Sequence, residues 1–288
     1  MRYLRAAEVR EALPMSECIE AMIHAFGGTR DGQSRTRLGA SLVLLGLLDG
    51  QASVKIVSTG LGDEAGIVAV FDVDGRPLGL VDGPTLSAIR TGAAPGLATD
   101  LLADSDCSTL AMLGAGSMAT DQVAAVRAVR PIERVLVWSR TEGRAQSLAD
   151  SVGGEVVADA DEAVAEADIV STATPAIVPL FDAGSLRPGT HVNAIGAFTP
   201  DMAEIPGEVV ERAFVVVDDR KAAASEAGDL LRVARRPDAD LTELLAGRAG
   251  PDGQPFTLFK SVGIAAQDAA AAIRALDNAE RLGIGVRL

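Results

Sequence analysis

The segment TLAMLGAGSMA (residues 109–119) passes from a short apolar run into Gly114-Ala115-Gly116-Ser117-Met118-Ala119, and a helical pattern then continues to residue 129. A strand that ends in G-x-G-x-x-A and opens a helix is the context in which a dinucleotide pyrophosphate is bound. Gly114 permits the tight turn, Gly116 lets backbone amides approach phosphate, and Ala119 lets the helix pack closely on the strand. The helix N-terminus adds partial positive charge. Gly114, Ala115, Gly116, Ser117 and Met118 are therefore the first candidate cofactor contacts.

Downstream the same rhythm repeats. RVLVWS (134–139), ADIVSTAT (167–174), THVNAIG (190–196), AFVVVDD (213–219) and FTLFKSVG (256–263) are strand-like runs separated by helix-like or turn-rich sequence. Such alternation predicts a parallel sheet covered on both faces. The second strand ends Val137-Trp138-Ser139-Arg140-Thr141, with no carboxylate until Glu142. A dinucleotide without a 2′-phosphate usually meets an acid there. Ser139, Arg140 and Thr141 offer donors to a phosphate dianion instead, with Arg144 a further candidate. The pattern favours NADP(H), with NAD(H) the alternative and a solvated rim charge the plainer account of Arg140. Thr172, Ala173 and Thr174 follow a strand on the side of the sheet where dinucleotides lie. Lys260, Ser261 and Gly263 end the last strand near the expected nicotinamide, although turns alone would also explain these two segments.

Upstream the pattern is different. Residues 5–26 have apolar residues at helical spacing, with Pro14 and Ser16 marking a start near Met15. Between Leu38 and Leu80, short apolar runs (SLVLLGLLDG, ASVKIVSTG, GIVAVFDVDG, PLGLVDG) are divided by Asp-Gly and glycine breaks, which predicts antiparallel strands with tight turns. Residues 84–103 read as a helix with an interruption at Pro95, and residues 264–282 as an Ala-rich amphipathic helix that returns to the N-terminal part. The expected architecture is α/β: a Rossmann-type doubly wound parallel sheet over 105–264, and a discontinuous α+β domain from 1–104 and 265–288.

A net charge of −14 argues against nucleic acid as a partner, because phosphate backbones require a basic surface. Two cysteines in unrelated contexts (Cys18 and Cys107) and two histidines give no zinc set with ordinary spacing and suit a reducing compartment. With neither a leader nor an 18-residue apolar run, the expectation is a cytoplasmic protein that does not enter a membrane.

Four segments carry a more specific signal: LSAIRTGAAPGLAT (86–99), VNAIGAFTPDMAEI (192–205), VVVDDRKAAASEAGDL (215–230) and TLFKSVGIAAQDAAAA (257–272). In sequence and order they resemble the ornithine cyclodeaminase/mu-crystallin family across nearly the whole chain. The resemblance implies a homodimer whose discontinuous domain binds the substrate and dimerises, with the central domain binding the dinucleotide. It implies that Lys55 in SVKIVS is the active-site lysine and that Arg90 in AIRTG binds the substrate carboxylate. Arg35 in SRTRL resembles a second carboxylate contact, with Arg37 the alternative. Thr91, beside Arg90, becomes a candidate for cofactor phosphate or substrate. A guanidinium grips a carboxylate through two parallel hydrogen bonds, while a buried lysine can orient substrate or exchange a proton.

Where cyclodeaminases of the family carry an aspartate after the VNA-x-G strand, this chain has Phe198, which lines a pocket wall without taking a proton. The stretch from Leu38 to Gly66 is also shorter than the family's usual length. The expected activity is therefore NADP(H)-dependent reduction of a small cyclic imine, ketimine or imino acid, or amino-acid dehydrogenation in reverse. Ammonia-releasing cyclodeamination with a recycled bound cofactor and a non-enzymatic, NADPH-loaded crystallin-like role are the alternatives. Asp218 and Asp219 fit strand-end capping, and His24 and His191 fit structural roles.

Overall fold

The computed structural model describes residues 1–58 and 65–288; Thr59 and Gly60, the end of the expected run 52–60, lie outside the described residues. The chain divides into two compact units, residues 1–93 with 264–288 and residues 94–263.

In the first unit the glycine-divided runs form β3 (Ser41–Leu48), β4 (Gln51–Ser58), β5 (Gly66–Phe71) and β6 (Pro77–Asp82), paired antiparallel in sequence. To these the fold adds β1 (Arg2–Leu4), which pairs parallel with β6, and β2 (Arg30–Leu38), antiparallel to β3. Strand β2, RDGQSRTRL, is absent from the sequence expectation because it has no apolar alternation. It is the edge of the sheet, where charged residues are tolerated and discourage pairing with other chains. Helix Ala265–Leu282 packs on β3 to β6 and against helix Met15–Gly27. Its alanines Ala265, Ala269, Ala272 and Ala275 are buried, so small side chains give close helix–sheet approach. Helix Gly83–Leu102 runs on through Pro95 without the expected break. Pro95 costs the helix the hydrogen bond that another residue there would donate, yet the helix continues to Leu102.

The second unit holds β7 (Thr109–Leu113), β8 (Arg134–Trp138), β9 (Glu155–Val156), β10 (Ile169–Thr172), β11 (His191–Ala194), β12 (Phe214–Val217), β13 (Ala239–Asp240) and β14 (Thr257–Lys260). Their order is β13-β12-β14-β11-β10-β7-β8-β9, with every pairing parallel. All four residues of β10, β11 and β12 are buried, as both faces of the sheet require. From β7 the chain moves first to β8 and β9 on one side, then returns to β10 on the other. That reversal lies between β7 and β10, and ligands of doubly wound sheets bind beyond the C-terminal ends of the strands at such a switch point. The first unit is completed by β15 (Val286–Arg287), antiparallel to β1. Among the described residues, no helix is long and apolar enough to cross a membrane.

Candidate active site

At the end of β7, Gly114 has φ +115°, and a Cβ built there would lie 2.6 Å from the Ala173 carbonyl oxygen and 2.8 Å from Thr174 Cγ2. Glycine is required at 114 by backbone and neighbours alike. Gly116 is different: its Cβ would meet nothing nearer than the Ala173 oxygen at 4.0 Å. The protein itself gives no reason for glycine there, whereas a group lying on the loop would. Gly116 and Ser117 are exposed, and no side chain caps helix Ala119–Val129, whose N-cap is Met118. Open space and first-turn amides without a side-chain cap fit a pyrophosphate.

At the end of β8, Ser139 Oγ accepts the Thr141 amide at 3.3 Å, while Arg140, Thr141 and Arg144 are exposed. Neither arginine forms an ion pair among the described residues. The N-cap of helix Glu142–Val152 is Thr141, again with no side-chain cap, so amides, hydroxyls and two guanidinium groups lie close along the chain.

The candidates at the ends of β10 and β14 turn inward. Thr172 Oγ1 donates to Glu204 Oε2 at 2.8 Å, and Thr174 donates to Glu204 Oε1 through its amide at 2.6 Å and its hydroxyl at 2.9 Å. Lys260 and Asp229 are completely buried, their Nζ and Oδ2 in ionic contact at 2.9 Å. Ser261 Oγ (2.8 Å) and the amides of Val262 (2.9 Å) and Gly263 (2.6 Å) all donate to Asp218 Oδ2. Gly263 has φ +80°, which favours glycine in that turn. The polar groups of Thr172, Thr174, Lys260 and Ser261 thus have protein partners and shape the loops that follow β10 and β14. Asp219 caps helix Arg220–Glu226 by accepting the Ala222 amide at 2.8 Å, the capping role its position suggested. Phe198, in the loop after β11, is 49% exposed. Buried Glu204 anchors that loop too, accepting the amides of Gly196 (2.7 Å) and Ala197 (3.1 Å). Burial pushes its carboxyl above the ordinary range, opposed by the nearby Lys260.

The first unit gathers the cations. Cross-strand register aligns Arg35, Leu44, Lys55, Val68, Val81 and Leu4 in one row. Its apolar members are buried, so Lys55 projects into a core face and is only 4% exposed. Lys55 Nζ donates to Asp268 Oδ1 at 3.0 Å, and Arg90 Nε donates to the same oxygen at 3.0 Å. Arg90 Nη1 also donates to Gln267 Oε1 at 3.1 Å. Burial lowers the Lys55 pKa to about 8; Asp268 opposes that depression, and the charges of Arg90 and Arg35 add to it. Burial works against ionisation of Asp268, but Arg90 and Lys55 outweigh it and hold the carboxyl below its ordinary value. Arg35 is half-buried and close enough to influence Lys55, whereas Arg37 is exposed. Thr91 is half-buried on helix Gly83–Leu102. Lys55 and Arg90 thus meet on a single carboxylate oxygen, a cationic setting that suits a small anion.

Asp268 and Gln267 lie outside the site residues that the sequence motifs single out. One signal was available: Asp268 sits three residues after Ala265 and four before Ala272, on the apolar stripe of its helix, where a charged residue needs a partner.

A profile of the ornithine cyclodeaminase/mu-crystallin family matches residues 55–282. The chain is 39% identical over 240 residues to a Delta(1)-pyrroline-2-carboxylate reductase of Bacillus cereus, covering 77% of this chain and 74% of that protein. It is 34% identical over 272 residues to the ketimine reductase mu-crystallin of Mus musculus, covering 94% and 84%. The solved structure of Thermococcus litoralis Delta(1)-pyrroline-2-carboxylate reductase, in complex with NADH and L-proline, superposes with a TM-score of 0.90 at 30% identity, over 100% of both chains. With its motifs, its two-unit architecture and these relatives in agreement, the chain belongs to the ornithine cyclodeaminase/mu-crystallin family.

Proposed function

We propose that this protein is an NADP(H)-dependent oxidoreductase that reduces the C=N bond of a small cyclic imino acid, of the pyrroline-2-carboxylate or ketimine kind. The observation that carries this reading is the meeting of Lys55 and Arg90 on Asp268, with Arg35 in the same row as Lys55. Arg90 keeps N–H groups beyond those given to Asp268 and Gln267, and with Arg35 it holds the substrate carboxylate. Lys55 gives one N–H to Asp268 and retains others for the imine nitrogen, to which it delivers a proton. A pKa of about 8 leaves it mostly protonated at neutral pH yet able to part with that proton. The reduced nicotinamide supplies the hydride that adds to the imine carbon. Imine, hydride and proton together give the amine, and Lys55 is reprotonated from solvent.

The amides of residues 115–118 hold the pyrophosphate, and the absence of an acid at the end of β8 supports a 2′-phosphate on Ser139, Arg140 and Thr141, with Arg144 adjacent. Phe198, an apolar residue offered for substrate contact, speaks against cyclodeamination, which asks for a carboxylate at that place. Residues 1–93 with 264–288 then form the substrate-binding and dimerisation domain. On the outer face of their sheet, Leu45, Ile56 and Ile67 are each about 40% exposed, which supports a homodimer formed there. Neither Cys18 nor Cys107 is in a disulfide, in keeping with the cytoplasm.

The test follows NADPH and NADH absorbance with Δ1-pyrroline-2-carboxylate and related cyclic ketimines, with ammonia release from ornithine and lysine measured in parallel. NADPH oxidation dependent on the cyclic imine is expected. Ammonia release without net cofactor change would replace the reductase with a lyase.

A further inference from the structure

Asp268 lies in the first turn of helix Ala265–Leu282 and is completely buried. Its Oδ1 accepts from Lys55 Nζ and from Arg90 Nε, each at 3.0 Å. Its neighbour Gln267, also completely buried, has its amide orientation fixed, because Oε1 accepts both the Ile264 amide and Arg90 Nη1, each at 3.1 Å. Three elements are therefore tied at one point: β4 through Lys55, helix Gly83–Leu102 through Arg90, and the C-terminal helix through Asp268. Among the described residues, the charged groups facing Lys55 are Arg35 from β2, Arg90 and Asp268; its partners on β3 and β5 are the apolar Leu44 and Val68. Asp268 is the one counter-charge in that set.

A lysine ammonium on a four-carbon stem has no fixed direction of its own, and among two guanidinium groups in a buried site it tends to lose its proton. Both problems are met by the same oxygen. We propose that Asp268 is a positioning residue for imine reduction: Oδ1 holds the Lys55 ammonium and the Arg90 guanidinium at one fixed separation, so that the proton donor meets the imine nitrogen while the clamp meets the carboxylate on the adjoining imine carbon. This rests on the roles given to Lys55 and Arg90 above. Asp268 itself transfers nothing. Lys55 gives its proton to the imine nitrogen, hydride reaches the carbon, and the neutral lysine is recharged from solvent while Asp268 stays ionised.

The test is calorimetric binding of pyrrole-2-carboxylate, a planar ring carboxylate, to the full chain without dinucleotide across a pH series. The pH dependence of kcat/KM for Δ1-pyrroline-2-carboxylate is measured alongside. In the wild type both fall as pH rises through the lysine titration. With Asp268→Asn the same fall is expected about 1–3 pH units lower, because an opposite charge in contact has been removed. With Asp268→Glu, which keeps the charge, the midpoint stays near that of the wild type. Lys55→Met should remove the titration altogether. A fall that persists in Lys55→Met would overturn the assignment of Lys55. A fall lost in Lys55→Met but unmoved in Asp268→Asn, or shifted equally in both Asp268 variants, would overturn the role of Asp268 alone. Should Asp268→Asn fail to fold, a displaced midpoint in Asp268→Glu overturns it in the same way.

Discussion

Glu204 takes two hydrogen bonds from Thr174, one from the backbone amide at 2.6 Å and one from the hydroxyl at 2.9 Å. Its other oxygen accepts from Thr172 and from the amides of Gly196 and Ala197. One buried carboxylate thus ties the loop after β10 to the loop after β11. There is no room to rearrange: a Cβ on Gly196 would lie 2.2 Å from the Thr174 backbone and 2.6 Å from Glu204 Oε1. Glu204→Gln puts an amide NH2 against at least one backbone N–H whichever way the side chain is turned. We expect a loss of about 1–3 kcal/mol in urea unfolding, together with a raised KM for the dinucleotide. Unfolding at the wild-type urea concentration would show that the loops do not depend on this anchor.

Gly114 and Gly116 separate folding from cofactor binding. Gly114→Ala must accommodate φ +115° and a contact of 2.6 Å, so it should cost about 1–3 kcal/mol and weaken binding as a consequence. Gly116→Ala enters open space, so the apoprotein should keep its melting temperature. Its methyl group would occupy the place of the pyrophosphate, and affinity for the dinucleotide should fall by one to two orders of magnitude, about 1.4 kcal/mol for each. Melting curves with and without dinucleotide check both. Equal affinity in Gly116→Ala and wild type would mean that nothing lies against residue 116.

These contrasts also mark how far the sequence could be read. The strand, glycine turn and helix over 109–129 form one local unit, and every constraint on Gly114 except the contacts with Ala173 and Thr174 is visible within it. Lys55 and Arg90 were found through motifs, yet their shared partner Asp268 lies 213 and 178 residues away, in an alanine-rich run where an acid passes for a solvated charge. Thr172, Thr174 and Ser261 looked like ligand contacts because hydroxyls at strand ends often are. Their acceptors, Glu204 and Asp218, lie about 30 to 43 residues away and become neighbours only when parallel strands align. Lys260 shows the same limit, since its burial against Asp229 depends on the central position of β14. Strand β2 is illegible for another reason: an edge strand has no need of the alternating pattern that identifies its neighbours.

Arg140 tests the choice of dinucleotide. It is exposed at the end of β8, has no ion pair among the described residues and lies in the place where an acid would select a free ribose. Arg140→Asp should raise KM for NADPH by roughly ten-fold or more, since a charge-assisted contact is worth about 1.5–3 kcal/mol. KM for NADH should change little or improve. Steady-state kinetics with both cofactors distinguish the outcomes, and equal effects on the two would remove the 2′-phosphate from this position.

Lys55 is where function and stability should part. Its folded-state pKa of about 8 lies below the ordinary 10.5, so the protonated form is disfavoured by folding. The sign follows directly: between pH 8 and 10.5 the unfolded chain binds more protons at this position, and the contribution of Lys55 to stability rises with pH across that window. At neutral pH the ammonium is a burden on the fold, offset by Asp268. Replacing it with methionine, similar in length and apolar, leaves Asp268 paired with Arg90. We therefore expect Lys55→Met to melt near the wild-type temperature at pH 7 and to lose the stability gain that the wild type shows above pH 8. Turnover should fall by about 10²–10⁴-fold, as expected for loss of a general acid, with dinucleotide affinity unchanged. Calorimetry at pH 7 and 9.5, with single-turnover kinetics, measures each quantity independently. A variant that keeps its turnover would show that the proton reaches the imine by another route.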